Sequence, residues 1–230
     1  MIIGNGLIAS LFNEYDKENV VFFASGVSNS SETRREEFLR EENLIQKILS
    51  ENPKKIFVYF STCSIYDSSK NESPYVNHKL KMEQIVAYSS QKYLILRVSN
   101  AVGKGGNPNL LMNHLVHTAR SGETINVHTL ATRNLIDVED IRKITLQLIE
   151  QEYFNKIINV AYLHNYSVIE ILELLERFFL QKAVLNLIKK GQSYSISTPD
   201  VTQYFKENQL TDKDTYLLNI LKKYYYNEPT

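Results

Sequence analysis

Cysteine is nearly absent. Cys63 is the one cysteine in 230 residues, so the chain can form no internal disulfide and suits a reducing compartment, the cytoplasm. Net charge is missing too. The 26 basic and 26 acidic residues cancel, which leaves no basic footprint for a nucleic acid. No run of 18 apolar residues occurs, so no membrane-spanning helix is expected. The opening Met1-Ile2-Ile3-Gly4 has neither the basic stretch nor the apolar core of a signal peptide. Internal repeats and low-complexity segments are not evident, no metal site is expected, and the absence of tryptophan carries no functional information. The length suffices for one large domain, or one domain with a small annex.

What is present is an alternation of strands and helices. Ile2 and Ile3 make a very short strand, followed by Gly4-Asn5-Gly6-Leu7-Ile8-Ala9 and a helix expected to reach about Tyr15. Gly-x-Gly-x-x-Ala supplies glycines where backbone turns tightly and approaches a phosphate at a helix N-terminus. Gly4, Gly6, Leu7 and Ile8 are therefore candidate cofactor-binding residues, and a tight turn without a ligand is the alternative. A strand over 19–24 ends in Ala24-Ser25-Gly26, small residues suited to line a cofactor edge. A helix over about 32–50 sets Phe38, Leu39, Leu44, Ile45, Ile48 and Leu49 on one side. Arg34, Arg35, Glu36, Glu37, Arg40, Glu41 and Glu42 fall on the other, read as a solvated or subunit-facing surface. Strands over 55–60 and 93–98 flank a helix over 75–89. A loop over 103–108 and a helix over 109–121 follow. This order argues an α/β fold with a parallel sheet covered by helices on both faces. From Gly122 the pattern changes. Strands are expected over 124–128, 132–137, 156–161 and 183–187, and helices over 138–151, 167–180 and 211–225. The chain thus divides into a Rossmann-like nucleotide-binding core over 1–122 and a remainder over 123–230. That remainder completes the core and carries a small C-terminal substrate-capping subdomain.

The chemistry gathers around Ser73-Pro74-Tyr75-Val76-Asn77-His78-Lys79. Tyr75 and Lys79 lie four apart, hence on one face of a helix that Pro74 starts. A phenol is a poor acid at neutral pH, and an ammonium one turn away favours its phenolate. Such a pair moves a proton to or from an alcohol while a partner moves a hydride. Thirteen residues upstream, Thr62 ends a buried apolar strand beside Ser61, where open α/β sheets bind ligands. An ordinary helix face is the alternative for Tyr75 and Lys79.

Four motifs in order resemble the extended short-chain dehydrogenase/reductase family, specifically its NAD-dependent epimerase/dehydratase group acting on nucleotide-activated sugars. Ser61-Thr62-Cys63-Ser64-Ile65-Tyr66 is similar to the family's Ser-Ser/Thr-x-x-Val-Tyr-Gly. Pro74-Tyr75-x-x-x-Lys79-x-x-x-Glu83 is similar to Pro-Tyr-x-x-Ser-Lys-x-x-x-Glu, with His78 in place of Ser. Leu96-Arg97-x-x-Asn100-x-x-Gly103 and Arg133-Asn134-x-x-Asp137-Val138-x-Asp140 complete the set. The resemblance implies Tyr75 as acid/base and Lys79 as the residue that lowers its pKa and binds the nicotinamide ribose. It implies Thr62 as partner of the reacting oxygen, with Cys63 and Ser64 beside the substrate. Asn100 and Arg133 would approach the sugar nucleotide's phosphates. On the residues alone, a turn residue closing its strand for Asn100 and a surface ion pair with Asp137 or Asp140 for Arg133 are equal alternatives. NAD or NADP is the implied cofactor. A homodimer through helices 32–50 and 75–89 is the implied assembly, and surface polysaccharide biosynthesis the implied setting.

Two departures shape the expectation. The 19–24 strand resembles the family's fourth strand, so the second and third are missing and the first is left at a sheet edge. The acidic residue that reads the adenosine ribose goes with them, and Arg34 or Arg35 could instead meet a 2′-phosphate. Thr62 is followed by Cys63-Ser64 rather than the Asp-Glu of the dehydratases, so dehydration is not expected. A 4-keto reductase is favoured. A 4-epimerase and a non-catalytic binding scaffold are the alternatives.

Overall fold

A computed structural model describes residues 1–15, 18–90, 92–105 and 110–226. In chain order the elements are β1 (Ile2–Ile3), α1 (Leu7–Ser10), β2 (Val20–Phe23), α2 (Arg35–Glu51), β3 (Ile56–Thr62), α3 (Pro74–Ser89), β4 (Lys92–Val98) and β5 (Asn100–Val102). There follow α4 (Leu111–Ser121), β6 (Thr124–His128), β7 (Thr132–Asp137), α5 (Val138–Glu150), β8 (Lys156–Val160), β9 (Asn165–Ser167), α6 (Val168–Phe179), β10 (Val184–Ile188), α7 (Pro199–Glu207) and α8 (Lys213–Tyr225). They form two compact units. One comprises 1–98 and 138–160, the other 99–137 and 161–230.

The first unit is built on a parallel five-stranded sheet of order β1-β2-β3-β4-β8. β1 is therefore an edge strand, as the expected loss of two strands requires. Every residue of β2 and β3 is buried, the pattern of strands covered on both faces. On one face Val21, Phe23, Phe57, Tyr59 and Ile95 pack with Ile45, Ile48 and Leu49 of α2 and with Met82 and Val86 of α3. Elsewhere in this unit Phe12 stacks on Phe22 at 4.3 Å and meets Phe60 at 5.6 Å.

The second unit contains a three-stranded sheet of order β5-β7-β9 and a parallel pair, β6 with β10. Its core is aromatic: Tyr162 stacks on Tyr216 at 3.8 Å and meets Phe205 edge-on at 5.3 Å. Asn134 crosslinks it. Its amide accepts from the N–H of Tyr162 and donates to the carbonyls of Tyr162 and His164. Ser167 and Glu170 form a capping box that starts α6.

Several sequence expectations need correction. α1 is a single turn, not a helix to Tyr15, and only a short 3₁₀ turn covers Asn13–Tyr15. β5 and β9, three residues each, are too short for an alternation signal, and α7 lies where a polar loop was expected. Residues 106–108 of the expected 103–108 loop, and the first residue of the expected 109–121 helix, lie outside the described residues.

Replacing Asn134 by Ala removes the buried bonds to the Tyr162 N–H and carbonyl. The urea transition of this unit is expected to lose about 3 kcal/mol.

Candidate active site

Thr62 ends β3 and caps the 3₁₀ turn Cys63–Tyr66, its Oγ1 accepting the Ser64 N–H at 3.0 Å. That leaves its O–H free to donate to a substrate oxygen. Ser61 donates to Glu83 Oε1 at 2.5 Å, and Arg97 grips the same carboxylate with Nε at 2.9 Å and Nη2 at 2.6 Å. This bidentate pair ties α3 to the ends of β3 and β4, and so holds the Tyr75 helix against the tip that bears Thr62. Glu83 and Arg97, two motif residues without an assigned role in the sequence, are thereby structural supports.

Tyr75 and Lys79 share one face of α3, and both are buried. Tyr75 packs with Val27 and Val76 and against Phe38, Ile65 and Leu80. Among the described residues its hydroxyl has no hydrogen-bond partner, so it is available to a ligand. Lys79 is only 3% exposed. Its ammonium donates to Glu41 Oε1 at 3.0 Å and to the Tyr59 hydroxyl at 3.2 Å, leaving one of its three donors unused.

Glu41 was expected on the charged, outward side of its helix. It is instead wholly buried, because Phe38, Glu41, Ile45 and Ile48 form one i, i+3, i+4 stripe that faces the sheet. A carboxylate in that stripe was the signal. Its Oε1 also accepts from Tyr59 at 2.7 Å, and its Oε2 accepts from the Val27 N–H at 2.7 Å and meets His78 Nε2 at 3.1 Å. Burial alone would raise the Glu41 pKa. The Lys79 charge and the bonds from His78, Val27 and Tyr59 outweigh it and hold the carboxyl well below the usual range. Burial first, then the neighbouring Glu41 charge, push the Tyr59 phenol well up, so Tyr59 stays a donor. Phe38 stacks on His78 at 4.7 Å and closes this cluster.

The candidate cofactor residues lie in the same unit. A Cβ on Gly4, where φ is +124°, would stand 2.5 Å from the Ala24 carbonyl oxygen and 3.0 Å from Ser25 N. The glycine turn is thus pressed against the end of β2. Gly6 precedes Leu7 and Ile8 of α1, and a Cβ there would meet only open space. An approach to exposed backbone amides, with room above Gly6, fits a nucleotide phosphate. Gly26 is close too: a Cβ would lie 2.4 Å from Lys79 Nζ and 2.8 Å from Glu41 Oε1. Any larger residue there would have to displace the ends of the ion pair.

Other candidates are accounted for as follows. Cys63 is buried, its thiol donating to the Arg97 carbonyl at 3.0 Å, and burial pushes its pKa far up. Ser64, next in the turn, is half-buried. Arg34 is bound through Nε and Nη2 to Glu32, whereas Arg40 reaches the Ser25 carbonyl at 3.1 Å. Asn100 and Arg133 belong to the second unit. Asn100 donates to the Asn134 carbonyl at 2.7 Å, and Arg133 Nη1 to the Thr132 carbonyl at 2.7 Å. Asp137 pairs with Lys223 at 2.9 Å. The described residues contain no His, Cys, Asp or Glu group able to hold a metal ion.

Residues 4–161 match the model of the NAD dependent epimerase/dehydratase family. None of the curated proteins compared matches the sequence. Among solved structures, the fold resembles UDP-glucuronic acid 4-epimerase from Bacillus cereus, in complex with UDP-glucuronic acid and NAD. The TM-score is 0.69 and the identity 19%, over 94% of this chain and 79% of that one. It also resembles RMD from Pseudomonas aeruginosa complexed with NADPH, with TM-score 0.68 and 17% identity over 96% of this chain and 85% of that one. The dTDP-glucose 4,6-dehydratase from Bacillus anthracis, in complex with NAD, gives 0.68 and 16% over 96% and 77%. At these identities the likeness is one of fold.

Because Glu41 has a depressed carboxyl pKa, it contributes stability that is present above the ordinary glutamate value of 4.5 and lost as pH falls below it. The unfolding free energy of the native protein should fall between about pH 5 and pH 3. In Glu41→Gln, which is less stable at neutral pH, that fall should be shallower.

Proposed function

The chain belongs to the NAD-dependent epimerase/dehydratase family, and from that premise we propose that it is an NAD(P)-dependent oxidoreductase that reduces a 4-keto group on a nucleotide-activated sugar. The observation that carries this reading is a buried tyrosine with an unengaged hydroxyl, one turn from a buried, charged lysine. Reduced nicotinamide, when bound, supplies a hydride. Tyr75 gives its proton to the carbonyl oxygen, and Thr62 donates a hydrogen bond to the same oxygen. Lys79 offers its remaining N–H to the nicotinamide ribose. Gly4, Gly6, Leu7 and Ile8 receive the cofactor's phosphates on backbone amides, while Ala24, Ser25, Gly26 and Ser61 flank it. Cys63 and Ser64 flank the sugar, Ser64 offering the more open hydroxyl, and Asn100 and Arg133 take the sugar nucleotide's phosphates.

In this scheme residues 1–122 hold the nucleotide. Residues 123–230 complete the core and cap the substrate. Two copies pair through α2 and α3, whose outer surfaces expose Leu39 and Tyr88. The setting is cytoplasmic, in surface polysaccharide biosynthesis. A sugar-nucleotide 4-epimerase is the second reading, favoured by the fold shared with the Bacillus cereus enzyme. It uses the same Thr62, Tyr75 and Lys79 but regenerates its cofactor in each turnover.

Incubation with a 4-keto sugar nucleotide and NADH or NADPH, followed at the nicotinamide absorbance, separates these readings. A reductase consumes one reduced cofactor per alcohol formed. Tyr75→Phe should lower that rate at least about 100-fold while keeping nucleotide binding. An unchanged rate in Tyr75→Phe would remove the tyrosine from the chemistry, and epimer formation without net oxidation would favour the second reading.

A further inference from the structure

The proposed chemistry gives Glu41 no part, yet its carboxylate is the most heavily bonded group around Lys79. Four donors reach it: Lys79 and His78 from α3, Tyr59 from β3, and the Val27 amide. Glu41 is fully buried, and a side chain on Gly26 would collide with both members of the ion pair. A buried ammonium paired at 3.0 Å with a buried carboxylate presents almost no net charge to a third group. Tyr75 is such a third group. It clusters with Val27 and Val76, and Phe38, Ile65 and Leu80 pack against that cluster. Of the titratable groups on its own helix, His78 and Lys79 are three and four residues on and both are buried, and from β3 Tyr59 interacts electrostatically with Tyr75, Glu41 and Glu83.

We propose that Glu41 is a positioning residue that both anchors and neutralises Lys79, so that Tyr75 enters the reaction as a phenol and serves as proton donor. This rests on the reading of Thr62, Tyr75 and Lys79 as the reaction site, and it selects the direction of that reaction. In a reduction the carbonyl carbon takes the hydride and its two electrons from the reduced nicotinamide, which leaves oxidised. The carbonyl oxygen takes the Tyr75 proton, the product is the alcohol, and the Tyr75 phenolate regains a proton from water. An alcohol-first reaction begins instead with Tyr75 as phenolate, the form that an unneutralised Lys79 favours. Glu41 thus fits the site to carbonyl reduction over epimerisation.

Protein labelled with ¹³C at the tyrosine ζ carbon, with Tyr75→Phe assigning the Tyr75 resonance, reports the ionisation of Tyr75 without substrate or cofactor. In Glu41→Gln the resonance should titrate about one pH unit lower than in the native protein, a tenfold change in proton affinity. In Glu41→Gln/Lys79→Gln, which removes both charges, it should stay within a few tenths of a unit of the native value. A Glu41→Gln titration that does not move down overturns the proposal, as does a double variant that titrates a full unit higher. Should Glu41→Gln fail to fold, the charge-free double variant alone decides, since losing both partners is better tolerated than orphaning one. Failure of the native protein to bind any nicotinamide nucleotide defeats the redox reading instead, and leaves this titration's answer intact.

Discussion

A charge taken out of water must be paired and hydrogen-bonded or it is not held there. The Glu41–Lys79 ion pair meets that condition at the centre of the first unit, and much else follows from it. Tyr59, in the fully buried β3, must keep its hydroxyl directed at the carboxylate. His78 must fill the other side, and the chain after β2 passes so closely that a Cβ at residue 26 would displace the pair. α2, α3, β3 and the β2 end are thereby registered against one another by one carboxylate. The register of α3 fixes Tyr75, one turn from Lys79. The Glu83–Arg97 pair does the same for the opposite end of the motif, where Ser61 and Thr62 close β3.

The second constraint is the shortened sheet. With β1 at the edge, the glycine turn of residues 4–6 stands at the sheet's open side, pressed only against the end of β2. In the proposed scheme a nucleotide seated there is offered backbone amides for its phosphates, without the adenosine-flanking strands that the family resemblance implies. In that scheme binding then depends on Lys79, Thr62 and the residues after β2. Arg40, at the surface, donates to the Ser25 carbonyl there.

The sheet and the reaction motif were legible because their signals are local. Continuous apolar runs mark β2, β3 and β4, and a four-residue spacing puts Tyr75 and Lys79 on one helix face. The missing strands were legible as well, from the order of motifs alone. Glu41 was not, because its meaning depends on contacts with residues 37 and 38 positions away and on a stripe that placed a charge among apolar neighbours. The single-turn α1 was overread since Leu11 and Phe12 continue an apolar pattern that the backbone does not follow. β5 and β9 exist through pairing with β7 rather than through any periodicity of their own.

Whether so reduced a nucleotide site still takes a nicotinamide cofactor is settled most directly by titrating the native protein with NADH and with NADPH and following nicotinamide fluorescence. Micromolar binding of at least one is the predicted result, and the preferred one identifies the cofactor. Absence of binding of either up to millimolar concentration, with none carried through purification, would contradict a redox role for Thr62, Tyr75 and Lys79.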